Sequence, residues 1–397
     1  MEIQELLAQL VSINSAFPGI SPDPDRPGEQ QLAVFLEHLL QEAGFAVQRQ
    51  YVTDDRFNVL AERGQGARAL LLAGHMDTVP AVAGWDADPW QPRVEGDRLI
   101  GLGSCDMKGG LVALVQAAQD LHPQTYTLKL AFLVDEENIS QGAHTLVQSG
   151  WLSDVVAVLV PEIGTSGGGE QLGPHRMTLG RQGRVDLDIH FRGRSAHAGN
   201  AEAGVSALLR GAVIALALER LPLAEHPQLG RSRATVRRFV SEAKGLSIPE
   251  VAELRIDRHL VPPETIESAR QDVVDLIERL YQEGALSYDP GLPITVSVPE
   301  RPTPYLMPYE VSPTEPFVQL VGQVIQEQLG SVSHHYAFSV ADENYYGATL
   351  VLPVIVLGPA GGNHHAPDEW VSLSSLNQVV GIYRAILARF EQFGTVA

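Results

Sequence analysis

A single cysteine, Cys105, stands in a chain of 397 residues. No disulfide can form within the chain, so the fold does not depend on an oxidising compartment. Basic residues are scarce: 28 Lys and Arg face 48 Asp and Glu, for a net charge of −20. That balance repels nucleic acid and anionic membranes, and it leaves room for a site that takes cations. No stretch reaches the roughly 20 apolar residues of a membrane span. The opening "MEIQELLAQLVSIN" has two glutamates and no basic segment before its apolar residues, so it is not read as a signal peptide. These absences lead to the expectation of a cytoplasmic protein without nucleic-acid or membrane partners.

What is present is an ordinary globular composition, 44% hydrophobic and 19% charged, over a length that favours two domains. The first half alternates helical and strand patterns. "IQELLAQLVSI" and "GEQQLAVFLEHLLQEAGF" repeat apolar residues at helical spacing, the second closing on Gly44 as a cap. Short apolar runs follow, "ALLLAGH", "LKLAFLVDEE" and "VVAVLVPE", with the glycine-rich "GLGSCDMKGG" leading into a helix between the first two. Such alternation predicts an α/β domain whose mostly parallel sheet is covered by helices on both faces. Near Met177 the pattern changes. "RVDLDIHFRG", "AELRIDRHL" and "ITVSV" alternate with period two, separated by the helical "VSALLRGAVIALALERL" and "ETIESARQDVVDLIERLYQEG". We expect an α+β domain over 178–300, inserted between a first part of the α/β domain at 1–177 and a second at 301–397.

The run "LLLAGHMDTVP" stops abruptly at His75 and Asp77. In an extended chain, residues two apart share a face, so both side chains emerge together at the strand's carboxyl end. Alone, this would be a hydrogen-bonded strand cap. The pattern recurs, however: "LAFLVDEE" ends in Asp135, Glu136 and Glu137, "VVAVLVPE" in Glu162, and "LPVIVLGPAGGNHHAPDE" reaches His364 and His365. In open α/β sheets ligands bind beyond the carboxyl ends of the strands. Carboxylates gathered there repel one another unless a cation compensates them. Imidazole and carboxylate without thiolate suit zinc, cobalt or manganese. Asp106, ending "GLGSCD" just before a helix, could bridge two such ions about 3.5–4 Å apart.

"GHMDTVP", "GLGSCDMKGG", "VDEENISQGA", "VPE" and "HAPDE" resemble, in order and approximate spacing, the motifs of one di-zinc hydrolase family. It is the family of acetylornithine deacetylase, succinyl-diaminopimelate desuccinylase, aminoacylase and glutamate carboxypeptidase. The resemblance implies that His75 and Glu162 bind one metal ion, Glu137 and His365 the other, and that Asp106 bridges them. It implies that Asp77 orients His75 and that Glu136 is the general base, taking a proton from water and passing it to the departing amine. "GRSAHAGNAEAG" is similar to the family's lid motif, which implies that His197 steadies the oxyanion in a neighbouring subunit's site, and hence a homodimer.

One stretch departs from the family pattern. In "GLSIPEVAELRIDRHLVPPE" the usual lid asparagine is replaced by Leu246, and the arginine that grips a substrate carboxylate by His259, with Arg258 beside it. Arg258 and His259 are therefore the candidate substrate contacts. Separately, Gly164–Gly168 fits the G-x-S-x-G pattern of a serine nucleophile at Ser166, but more glycine follows where a helix should start. His334 and His335 match no ligand spacing. The expected activity is metal-dependent cleavage of an N-acyl amino acid, with a carboxypeptidase or dipeptidase of the same family as the alternative and a serine hydrolase as the remote one. Two divalent ions, zinc before cobalt or manganese, are the expected cofactors, and an N-acyl amino acid or short peptide the expected substrate.

Overall fold

A computed structural model describes residues 2–17, 28–163 and 173–393. The chain forms two compact units. The first comprises Met1–Arg181, Glu310–Ala337 and Ala341–Ala397, and the second Gln182–Tyr309 with Phe338–Val340. The Gly164–Gly168 run, with Ser166, lies outside the described residues.

The first unit is built on a nine-stranded sheet. At its centre the strand Ala69–His75 lies parallel to Thr127–Leu133 on one side and to Val155–Val160 on the other. Val354–Val356 continues the parallel set beside Val155–Val160, while Ala46–Tyr51 and Phe57–Gly64 join antiparallel at one edge. All seven residues of Ala69–His75 are buried, as a strand covered on both faces requires. The helix Gly109–Ala118 is buried along its entire length, which explains why "GGLVALVQAA" shows no polar face. Gly44 follows the helix Glu29–Glu42 at φ +81°, the left-handed position that suits glycine. The period-two and helical patterns did not reveal a small antiparallel sheet of Gly361–Gly362, Trp370–Ser372, Arg98–Ile100 and Arg93–Glu95.

The second unit has a four-stranded antiparallel sheet ordered Arg233–Val240, Val251–Leu260, Gly183–Arg192, Ile294–Ser297. Alternate residues of Val251–Leu260 are buried, so Leu254 and Ile256 join Leu187 and Ile189 in one apolar face. The helices Ala207–Leu218 and Ile266–Gln282 cover that face through Ile214, Val273 and Ile277. Each helix starts at a side-chain cap. Ser206 accepts from Leu209 N–H at 3.3 Å, and Thr265 forms a reciprocal box with Ser268. The strand Arg233–Val240 was not anticipated; it is an edge strand with a bulge between Val236 and Arg238, which breaks its alternation.

Candidate metal centre

Parallel pairing carries the carboxyl ends of the first unit's central strands to one edge of the sheet, and the polar residues after them converge there. His75 is the last residue of its strand, Glu136 and Glu137 follow Thr127–Leu133, and Glu162 follows Val155–Val160. The turn bearing the two glutamates is tightly specified. Asp135 sits at φ +74°, a strained region for a residue with a side chain. Its carboxylate accepts from Arg56 at 3.0 Å and from Gln141 N–H at 3.2 Å, and its own N–H donates to Glu29 at 2.8 Å.

Asp106 occupies the middle. Its Oδ1 lies 3.2 Å from His75 Nε2, and its Oδ2 lies 3.2 Å from His365 Nε2. Glu162 Oε1 approaches the first ring at 3.6 Å, and Glu137 Oε1 approaches the second at 3.0 Å. Each imidazole is thus paired with one glutamate and one oxygen of the shared aspartate. Potential ligand atoms of His75, Asp106 and Glu137 lie within 4.8 Å of one another, as do those of His75, Glu136 and Glu162.

The His75 ring is oriented by a bond from Nδ1 to the main-chain oxygen of Asp77 at 3.0 Å, which leaves Nε2 as the free lone pair. The Asp77 carboxylate is farther from that ring, at 3.6 Å, and instead accepts from the N–H groups of Glu136 and Glu137 at 3.1 and 2.9 Å. Asp77 therefore positions both a histidine and the two-glutamate turn, more than the resemblance implied.

The electrostatics fit a cationic occupant. Burial pushes Glu137 up to about 7, with Asp106 adding to the shift against the His365 bond. Bonds to Asp106 and Glu137 raise His365 to about 11. Against burial that would raise it, the two imidazoles hold Asp106 below the ordinary carboxylate range. Burial also lifts Glu136 well above that range; His75 opposes the rise, while Glu137, Glu162 and Asp342 reinforce it. A field that favours protons this strongly on imidazole also favours divalent cations, and two imidazoles with three carboxylates form a donor set suited to them.

Three residues around the centre were not anticipated. Arg181, 2% exposed, pairs with both Glu162 and Glu343, and Asp342 and Glu343 are buried beside it. Asp342 lines a small pocket with His75, Glu136, Glu162 and Tyr346. A signal for Arg181 was available: like His75, it closes a largely buried strand with a charge, at the end of Arg176–Arg181.

The remaining candidates belong to the second unit. His197 is exposed and accepts from Gly199 N–H at Nδ1, 3.1 Å away, so its Nε2–H is an outward donor. Leu246, 76% exposed, lies beside it, and its carbonyl accepts from Ala198 N–H at 2.8 Å. His259 is half-buried, with Nδ1 2.9 Å from the Phe338 carbonyl, and burial lowers its pKa; it is a neutral ring rather than a cationic fork. Arg258 is placed differently from the expected substrate contact. Its side chain is fully buried and donates to Glu264 at 2.6 Å, Asp272 at 3.0 Å and Ser232 at 3.2 Å. The period-two alternation explains this, because position 258 falls on the core face of its strand. Arg258→Met should accordingly destabilise the fold by about 3 kcal/mol, by leaving the buried Glu264 carboxylate without its cation, and leave KM unchanged. Urea unfolding alongside steady-state kinetics would check both halves of that expectation.

Among the described residues no helix is long and apolar enough to cross a membrane. The chain is 28% identical over 356 residues to an acetylornithine deacetylase of Edwardsiella ictaluri, with 86% of each chain covered. Its fold resembles a Staphylococcus aureus tripeptidase, at TM-score 0.75, 18% identity and 98% coverage of both chains. It also resembles a dinuclear metal-binding peptidase of Bacillus subtilis, at TM-score 0.71 and 16% identity, covering 98% of this chain and 97% of that one. Residues 71–389 match the family described as Peptidase family M20/M25/M40, and the chain is a hydrolase of that family.

Proposed function

We propose that the protein hydrolyses the amide bond of an N-acyl amino acid at a two-ion centre formed by His75, Asp106, Glu137, Glu162 and His365. The observation that carries this reading is the arrangement of Asp106, whose two oxygens face two different histidine–glutamate pairs at 3.2 Å. His75, Asp106, Glu137, Glu162 and His365 would hold two divalent ions, with zinc the first choice, which would supply Lewis acidity and lower the pKa of a water at the site.

The chain's own residues do the rest. Glu136 takes the proton from the attacking water and returns it to the amine nitrogen as the C–N bond breaks. Burial, opposed by His75 and reinforced by Glu137, Glu162 and Asp342, shifts its carboxylate upward, the direction that favours taking up a proton. Asp77 keeps the Glu136 and Glu137 backbone in place, and Arg181 holds the Glu162 carboxylate. His197, with its outward Nε2–H, is the donor to the oxyanion, supplied by a second copy of the chain in a homodimer. Acyl transfer from an amino acid rather than peptide cleavage is favoured by the acetylornithine deacetylase relative. A peptidase is the second reading, supported by the fold shared with the tripeptidase.

The test is a panel of N-acetyl- and N-succinyl-amino acids beside di- and tripeptides. Metal-stripped protein is assayed with and without added zinc, cobalt or manganese. The expected result is negligible turnover when stripped and metal-restored cleavage of the N-acyl amino acids. Restored cleavage of peptides alone would select the second reading. Turnover unaffected by stripping would overturn both.

A further inference from the structure

Glu369 ends the "HAPDE" motif without a role of its own, and the fold places it directly before the strand Trp370–Ser372 with its side chain buried. The short strands Arg98–Ile100 and Trp370–Ser372 pair antiparallel, with Trp370 opposite Ile100. That register sets Glu369 opposite Gly101, whose N–H donates to the Glu369 carbonyl at 2.9 Å. The Glu369 side chain is thereby turned into the loop that runs from Gly101 to Asp106. Only 1% of the residue is exposed. Its Oε2 accepts from Gly103 N–H at 2.8 Å, and its Oε1 accepts from both Cys105 and Asp106 N–H at 2.9 Å.

We infer that Glu369 is the positioning residue of the bridging carboxylate, fixing the loop that aims the two oxygens of Asp106 at His75 and His365. The inference rests on the metal-centre reading given above. Three main-chain donors converge on one carboxylate, and each belongs to a loop that has no strand partner to satisfy it. Holding the Asp106 nitrogen restricts the direction in which its side chain leaves the backbone. The same glutamate lies four residues after His365. In between, Asp368 is clamped by Arg93 of the strand Arg93–Glu95 at 2.8 Å, so the loop bearing His365 is anchored there and joined to the loop bearing Asp106 through Glu369 itself. The choice of side chain is specific. A carboxylate only accepts, whereas glutamine would turn an NH2 group toward one of the N–H donors, and aspartate would fall one methylene short. Glutamate also adds a buried negative charge close to Asp106, which a purely structural filler would avoid.

Calorimetric zinc titration of the metal-stripped full chain tests this, together with the melting temperature before and after zinc. Wild type should bind two ions per chain. Glu369→Gln should weaken both ions in parallel, by about 10- to 100-fold, and shrink the melting shift that zinc produces. His365→Ala should lose one ion only, which sets the contrast between a terminal ligand and a holder of the bridge. If Glu369→Gln does not fold when stripped, Glu369→Asp keeps the charge, gives up the reach and should show the same parallel loss. Two ions bound at wild-type affinity by the variant, with stripped and zinc-loaded protein losing equal melting temperature, would make the role structural and overturn the inference. A wild type that takes up no zinc, cobalt or manganese would overturn the metal centre itself, an outcome visible before any variant is compared.

Discussion

Asp106→Asn is expected to abolish the two-ion centre and to reduce kcat/KM by at least about a thousandfold, close to 4 kcal/mol of transition-state stabilisation. The reason is geometric. In the native arrangement Oδ1 lies 3.2 Å from one imidazole and Oδ2 lies 3.2 Å from the other. Asparagine can offer an oxygen to one side only, and it turns an NH2 group, which cannot ligate, to the other. It also removes the one negative charge that both cations would share. Metal analysis of the purified variant should find one ion or fewer per chain, against two in wild type. The fold itself should survive, because Asp106 is held through its main-chain N–H, which the substitution leaves in place. A variant that still carries two ions and keeps within tenfold of wild-type kcat/KM would remove Asp106 from the bridge.

The candidate metal centre was legible because burial and chemistry pull against each other at the ends of its strands. An apolar run such as "LLLAGH" predicts a covered strand, and the abrupt histidine marks where the cover stops. Four such endings share one edge only because the strands run parallel, and alternation of helix and strand implies that arrangement. Contacts set by register were not legible. Glu369 reaches Gly103, Cys105 and Asp106 because Trp370 pairs with Ile100, across a separation of some 270 residues in sequence. The Arg181 pairs with Glu162 and Glu343 likewise depend on which strands become neighbours. In the second unit, period two located Val251–Leu260 and should also have placed Arg258 inward. The family resemblance bears on its charge and not on the face of the strand it occupies. The strand Arg233–Val240 was missed for another reason: its bulge shifts the alternation midway, and as an edge strand it keeps little apolar surface to reveal it.

Glu136→Gln should lower kcat by about 10²- to 10⁴-fold with metal content unchanged. Two roles compete at this position. Glu136 lies close enough to His75 and Glu162 for ligand atoms of all three to fall within 4.8 Å, so it could in principle ligate. Three observations favour the base instead. The ring of His75 is already engaged by Asp106 at 3.2 Å and approached by Glu162 at 3.6 Å, which completes a set of donors without Glu136. The Glu136 main chain is pinned by Asp77 at 3.1 Å, which points the residue at the centre without committing its carboxylate. Burial, reinforced by Glu137, Glu162 and Asp342, also shifts its carboxylate upward, the direction that favours taking up a proton. Glutamine keeps the shape and an oxygen but can no longer accept and release that proton. A general base predicts a fall in kcat with two ions retained and KM nearly unchanged. A ligand predicts loss of an ion, and added zinc should then restore part of the rate. Metal analysis and steady-state kinetics on the same preparation distinguish the two, and zinc rescue of Glu136→Gln would transfer the base's role to another carboxylate of the centre.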